Sequence, residues 1–336
     1  MKAVLRQTIL ALLAVAGVYG ALAVTAFFVH PRDLGRPVAW NNQISDKILF
    51  DRAGLHHRGR RVILFGASNM LALDRDLVSA ALDGQAVVHS MVAPASNIGQ
   101  IRSAIDVVFE ELSPAELKDT VLVMGLWYGS FLDDRTRWND GPNGIDTEKL
   151  KYAMLYRQRP TGRVVPTLPP SLFPQAGAVL LPLRVLYAAR KRLIGGVQSA
   201  AFETPRDAED VELRHRTQLE IMAGVMHHPE GEILDEQFRM LSDLLRRISA
   251  SGAKVLLIDL SIPRWHSQAT PYFPTYQRKK APIFAEAAAL PGVHVVDWQG
   301  IDDDDLFIDT THQVTSSFPM WVEKLKADLR KTGLVP

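Results

Sequence analysis

The chain contains no cysteine. Disulfide frameworks, thiolate metal sites and a cysteine nucleophile are therefore excluded. An excess of charge of either sign is missing as well: 38 Lys and Arg stand against 37 Asp and Glu, a formal net charge of +1. That balance gives no electrostatic reason to expect nucleic acid as a partner. Internal repeats and low-complexity tracts are absent too. What remains is an ordinary globular composition, 47% hydrophobic and 22% charged over 336 residues. Such a chain holds one large α/β domain or two small ones.

The amino terminus departs from that average. Thr8 to Val29 is uncharged and predominantly apolar, and as a helix these roughly 22 residues span ~33 Å, enough to cross a bilayer core. Lys2 and Arg6 precede the run, while His30, Pro31 and Asp33 follow it. The positive-inside tendency then keeps the amino terminus cytoplasmic and exports the remaining chain, giving a single-pass protein of the cytoplasmic membrane with a periplasmic or extracytoplasmic domain. A cleaved signal peptide is the competing reading. Its apolar region normally runs only ~7–15 residues, and Ala21-Leu22-Ala23, which imitates a cleavage site, lies inside the apolar run. Residues 1–30 are thus read as cytoplasmic terminus and anchor. Residues 31–60, with Pro31, Gly35, Pro37 and Gly54, are read as a linker containing one short helix around Ile44 to Ala53.

From Arg61 onward short apolar runs alternate with amphipathic stretches. Val62-Ile63-Leu64-Phe65 ends at Gly66, and similar runs recur at Val87 to Val92, Val121 to Leu126, Lys254 to Leu260 and Val293 to Val296. Such runs suit strands buried on both faces. Between them, Asp74 can cap a helix through Leu82, and Ser96 or Asn97 can cap one through Leu112. Glu232 to Ser251 has helical spacing and stops at Gly252, and Phe318 to Arg330 forms a closing helix. The alternation predicts an α/β domain over 61–336, three layers deep, with helices on both faces of a mostly parallel five-stranded sheet. An irregular insertion covers about 150–230. Its prolines, Pro160 to Pro182, disfavour a continuous helix, and Ala176 to Ile194, apolar with interspersed arginines, reads as an interfacial or docking helix or as one packed on its own domain.

Two constellations carry chemistry. Leu64-Phe65-Gly66-Ala67-Ser68-Asn69 places a serine two residues past a buried strand, at the carboxyl edge where open α/β sheets bind ligands. Gly66 permits a sharp turn, and the N–H groups beyond it, those of Ser68 and Asn69, are free to donate to an oxyanion. Met70 stands where G-x-S-x-G requires its second glycine, so the α/β-hydrolase elbow does not fit. The second constellation is Asp309-Thr310-Thr311-His312. Imidazole activates a serine at neutral pH when a carboxylate holds its tautomer, and Asp and His three apart can supply both from one loop. Asp297 is an alternative orienting acid or a strand-end cap. Asp302 to Asp305 lack EF-hand spacing and read as a solvated loop. His227-His228 lack a spaced ligand partner and read as a helix end. No metal or organic cofactor is expected.

Serine early, Asp-x-x-His late and a closing helix together resemble the SGNH (GDSL-like) hydrolases and acyltransferases, and within them DltD-like and polysaccharide O-acetylation proteins. Gly66-Ala67-Ser68-Asn69-Met70 is similar to their nucleophile block, Leu126-Trp127-Tyr128 to an aromatic stretch after the third strand, and Asp309 to His312 to their last block. The resemblance implies a triad of Ser68, Asp309 and His312, with Gly99 or the Asn97 side chain assisting the Ser68 and Asn69 N–H groups at the oxyanion. Trp127 and Tyr128 can line an acyl or sugar site, joined by Trp265 and His266, and core packing is the equal alternative for each of the four. The activity implied is transfer of an acyl group, acetyl first of all, to or from an exported cell-envelope polysaccharide, beside a multipass membrane O-acyltransferase. A deacetylase or esterase with the same triad, and a non-catalytic assembly subunit, are the alternatives. The chain departs from the pattern twice. Gln313 to Ser317 lack the glycine- and tryptophan-rich continuation of DltD, which argues against a D-alanyl substrate, and Gly125 to Gly129 contain no asparagine for an oxyanion.

Overall fold

A computed structural model of the chain describes residues 2–28, 55, 58–92, 96–131, 156–158, 164–166, 208–226, 231–233 and 235–336. Helix α1, Lys2–Phe28, contains a stretch, Val4–Val24, long and apolar enough to cross a membrane. Leu12 and Val15 on it are 64% and 67% exposed, so its apolar surface is not spent on a protein core.

The described sheet has five strands: β1 (Arg61–Gly66), β2 (Val87–Ser90), β3 (Thr120–Leu126), β6 (Lys254–Asp259) and β7 (Val293–Asp297). They run in the order β2-β1-β3-β6-β7, and every pairing is parallel rather than merely most of them. Every residue of β1 and β3 is buried. Their sequences can therefore be continuously apolar without alternation, whereas β7 at the edge is only half-buried. A separate antiparallel pair, β4 (Tyr156–Gln158) with β5 (Val164–Pro166), falls inside the expected insertion.

Helix α2 (Arg75–Ala81) begins where Asp74 accepts hydrogen bonds from Asp76 N and Leu77 N, and it packs with α9 (Phe318–Lys331). Helix α3 (Ile98–Glu111) starts with a reciprocal capping box between Asn97 and Gln100. It belongs to a second packed group with α4 (Pro114–Lys118), α6 (Asp235–Ser251) and α8 (Tyr272–Ala288). Gly252 ends α6 at φ 84°. Helices α5 (Ala208–Met226) and α7 (Arg264–Ala269) complete the set among the described residues. The run read as a strand to Val92 ends at Ser90, and α8 was not anticipated at all. The linker helix at 44–53, the helix at 176–194 and His227-His228 lie outside the described residues.

Two buried charges fasten the frame. Arg61 opens β1 with its side chain only 2% exposed, donating to Leu55 O at 2.6 Å and Glu116 O at 3.0 Å. Asp259 closes β6, where its carboxylate accepts from Lys280 Nζ, from the Tyr276 hydroxyl at 2.6 Å and from Gln299 Nε2 at 3.0 Å. Burial pushes the Asp259 carboxyl upward, against the Lys280 charge and hydrogen bonds that favour ionisation.

Gly66 and Gly125 sit opposite each other at the ends of β1 and β3. Gly66 holds φ 148°, and a Cβ there would lie 2.5 Å from Met70 Cγ and 2.8 Å from Gly125 O. A Cβ on Gly125 would strike the Met70 thioether. Gly66→Ala meets a fixed carbonyl as well as an unfavourable φ, so the substitution should lower unfolding free energy by about 2–4 kcal/mol in chemical denaturation. A loss under about 1 kcal/mol would show that the turn relaxes.

Candidate active site

Strand order decides where a ligand can sit. The chain leaves β1 for β2 on one side and then crosses to β3 on the other, so the carboxyl ends of β1 and β3 diverge around a crevice. Ser68 lies two residues past Gly66, and Trp127 two residues past its register partner Gly125. The chain after β1 tightens at once into a 3-10 turn, Ser68–Ala72. Met70 N donates to Ala67 O at 3.0 Å, and the fully buried Met70 side chain fills the space left by the two glycines. The residue that breaks the G-x-S-x-G pattern is thus the plug that fixes the turn. Ser68 and Asn69 open this turn, where backbone N–H groups have no acceptor inside the helix.

The other half arrives from the end of the domain. Phe307 and Gln313 form an isolated antiparallel bridge, with Ile308 N donating to His312 O at 2.8 Å and Val314 N to Leu306 O at 2.9 Å. The loop is pinned by its own backbone. Asp309 Oδ1 accepts from Thr311 N at 2.9 Å and His312 N at 2.8 Å, leaving Oδ2 to meet His312 Nδ1 at 2.6 Å. His312 Nε2 lies 2.6 Å from Ser68 Oγ, across 244 residues of chain. Burial alone would raise the Asp309 carboxyl. The hydrogen bond and charge of His312 and the two backbone N–H groups outweigh it, and the net shift is downward. The carboxyl therefore stays ionised and can hold the imidazole with Nδ1 protonated and Nε2 facing the serine. Ser68, Asp309 and His312 are each partly exposed, so a substrate can reach them.

The remaining expected residues are placed differently. Gly99 does not present a free donor: its N–H, in the first turn of α3, goes to Gln237 Oε1 at 3.3 Å. Asn97 Oδ1 accepts from Gln100 N at 3.0 Å as the cap of α3. The Gly99 N–H is thus committed to holding α3, which corrects the expectation that it serves an oxyanion, while the Asn97 oxygen acts as the helix cap. Asn69 is buried beside Ser68. Trp127 is buried at the crevice with its ring against Gly129. Tyr128 does not line an open surface: it is 1% exposed, and its hydroxyl lies 2.5 Å from His266 Nε2. Asp297 is exposed and accepts from Gln299 N at 2.8 Å, a strand-end cap. In the acidic run, Asp302 pairs with Arg264, Asp303 accepts from Asp305 N, and Asp304 accepts from Trp265 N.

Sequence reasoning underrated the Tyr128–His266 pair, which joins β3's end to α7. Burial holds the Tyr128 phenol far above its ordinary value, so it stays protonated. Burial lowers His266 to about 4, with Asp309 opposing and His215 adding to the shift. The adjacency of Trp265 and His266 was visible in the sequence, but the partner lies 138 residues away.

No family model matches this chain, and no curated protein matches it.

His266 makes a pH prediction. Its folded value of about 4 lies below the 6.5 of an unperturbed imidazole. As pH falls below 6.5 the unfolded chain takes up a proton that the folded chain refuses, so stability drops until pH reaches about 4. In urea titrations between those values, His266→Gln should flatten the pH dependence by up to about 1.4 kcal/mol per pH unit. Parallel slopes for variant and wild type would contradict it.

Proposed function

We propose that the chain is a membrane-anchored SGNH-type serine acyltransferase or esterase acting on an exported cell-envelope polysaccharide. The observation that carries this reading is the unbroken sequence Ser68 Oγ, His312 Nε2, His312 Nδ1, Asp309 Oδ2, with 2.6 Å at each junction. Hydrogen-bonded serine, imidazole and carboxylate at one sheet edge are the geometric signature of an activated nucleophile. The strand order and the two packed helix groups are compatible with the three-layer α/β/α fold of SGNH proteins, which also place serine after the first strand and Asp-x-x-His before the last helix.

In this mechanism Ser68 Oγ attacks the acyl carbonyl carbon while His312 Nε2 takes the hydroxyl proton. Asp309 stabilises the imidazolium and keeps its orientation. The carbonyl π bond opens onto oxygen, and the resulting anion is met by the Ser68 and Asn69 backbone N–H groups, each worth ~3–4 kcal/mol of barrier when well placed. Collapse expels the alcohol, which recovers its proton from His312 and leaves an acyl-serine. A second hydroxyl, or water, then reverses these steps and releases the acyl group. Transfer to a glycan hydroxyl and hydrolysis differ only in this last acceptor.

Helix α1 supports membrane attachment by its length and composition. With Lys2 and Arg6 ahead of the apolar run, the positive-inside tendency puts the Ser68 domain on the extracytoplasmic side. A multipass O-acyltransferase in the same membrane is the matching acyl supplier.

Labelling of the folded full-length chain by a fluorophosphonate probe tests the reading. Wild type should be modified at Ser68, Ser68→Ala should not react, and Asp309→Asn or His312→Ala should slow labelling by about a thousandfold or more. Absence of Ser68 labelling in folded wild type would instead favour a non-catalytic assembly subunit. With an acetylated glycan as donor, free acetate identifies an esterase, and acetate appearing on an added unmodified glycan identifies a transferase.

A further inference from the structure

Helix α7 is only six residues long, and Pro263 at its start offers no side-chain cap. So short a helix closes too few hydrogen bonds to offset the cost of its first turn. Its place is set by what it grips. On one side it holds the acidic run. Arg264 N donates to Asp302 O at 2.9 Å, the Arg264 guanidinium donates to both Asp302 carboxylate oxygens at 3.1 and 2.9 Å, and Trp265 N donates to Asp304 Oδ1 at 3.1 Å. On the other side it holds the end of β3, where the Tyr128 hydroxyl lies 2.5 Å from His266 Nε2. The His266 ring is fully buried and its Nδ1 has no hydrogen-bond partner among the described residues, so the Tyr128 contact is the polar tie that fixes the ring.

The grip leads on to the triad. Residues 304–306 form a 3-10 turn in which Leu306 N donates to Asp303 O at 3.0 Å and Phe307 N to Asp304 O at 3.1 Å. Phe307 then opens the bridge to Gln313 that frames Asp309 and His312. His266 also lies near enough to Asp309 for the carboxylate charge to act on it. We infer that Tyr128 and His266 are positioning residues, locking α7 as a bracket between the end of β3 and the loop that carries His312. This rests on the reading of Ser68 as the nucleophile and adds to it the groups that set the reach of its base. The bonds from Asp309 to the 311 and 312 N–H groups shape the loop internally, but they do not place it against the sheet. Phe307 ties it to α9 through Trp321, and α7 ties it to β3. Placement matters because His312 Nε2 must stay at 2.6 Å from Ser68 Oγ, and a displacement of about 1 Å can cost roughly a hundredfold in rate. A neutral ring suits the bracket: a cation beside Asp309 would compete for the carboxylate that His312 needs, and burial keeps His266 uncharged.

The full-length chain in detergent provides the test. Tyr128→Phe and His266→Leu cut the buried tie, while His266→Gln keeps an amide that can reach the Tyr128 hydroxyl. Fluorophosphonate labelling of Ser68 is followed well below each thermal midpoint, so that the molecules are folded. It should slow about tenfold or more in the first two variants and largely recover in His266→Gln. With p-nitrophenyl acetate the loss should fall on kcat while KM holds. The His312 Nδ1 proton, held by Asp309, should give a low-field proton NMR signal that moves or broadens in Tyr128→Phe. Asp302→Ala combined with Asp304→Ala removes the side-chain ties between the loop and α7 and leaves the core intact. This double variant should slow labelling in the same direction with little change of midpoint. A merely structural role would lower the midpoint of Tyr128→Phe while its folded molecules label at the wild-type rate and keep the signal in place. That result, equal losses in His266→Gln and His266→Leu, or wild-type labelling in the double variant would each overturn the inference. Should wild-type Ser68 resist fluorophosphonate, the nucleophile reading fails and the signal alone decides: its movement in Tyr128→Phe upholds the bracket, and its constancy overturns it.

Discussion

Packing at the ends of two central strands governs the rest of the site. Where β1 and β3 end, two glycines face each other, and the space their missing side chains leave is taken by Met70 from the next turn. A methionine suits such a gap because its unbranched thioether adapts to irregular walls. Once Met70 is seated, the 3-10 turn from Ser68 has little freedom, since its third residue is held in the core. The position of the serine hydroxyl is therefore a packing result, set by buried apolar contacts rather than by polar groups of the crevice.

The late loop achieves the same rigidity by different means. Phe307 packs against Trp321 in the core, and beyond that anchor the loop relies on backbone pairing between residues 306–308 and 312–314 together with the Asp309 side chain folded onto two backbone N–H groups. One carboxylate oxygen orders the loop while the other orders the imidazole. A longer Glu at 309 would have to surrender one of these tasks, because both depend on a short reach. Apolar packing on one side and local hydrogen bonding on the other bring two distant segments to a single contact.

Much of this frame was readable from residues alone, for a physical reason. Strands buried on both faces announce themselves as unbroken apolar runs, and helices announce their starts through side chains such as Asp74 and Asn97 that must bond orphaned N–H groups. Helix α8 has no such plain start signal, since Pro271 sits at its cap without a side-chain bond and Pro282 is tolerated inside it. The tertiary contacts of Tyr276 and Lys280 with Asp259 hold that helix against its proline. The fate of Gly99 was hidden for a related reason: its N–H is taken by Gln237, on a helix that local patterns could not place beside it. Pairings within a few residues were visible. Pairings across the domain were visible only where chemistry named both ends, as with Ser68 and His312.

The separation of those two residues has a temporal side. The first strand delivers the hydroxyl, but the imidazole lies 244 positions later, beyond the last strand. A ribosome builds the chain from the amino terminus, so every nascent length that stops short of the final loop carries Ser68 without its imidazole partner. The contact between them can form only once both segments exist and the sheet edge has brought them together, which makes it a property of the finished fold.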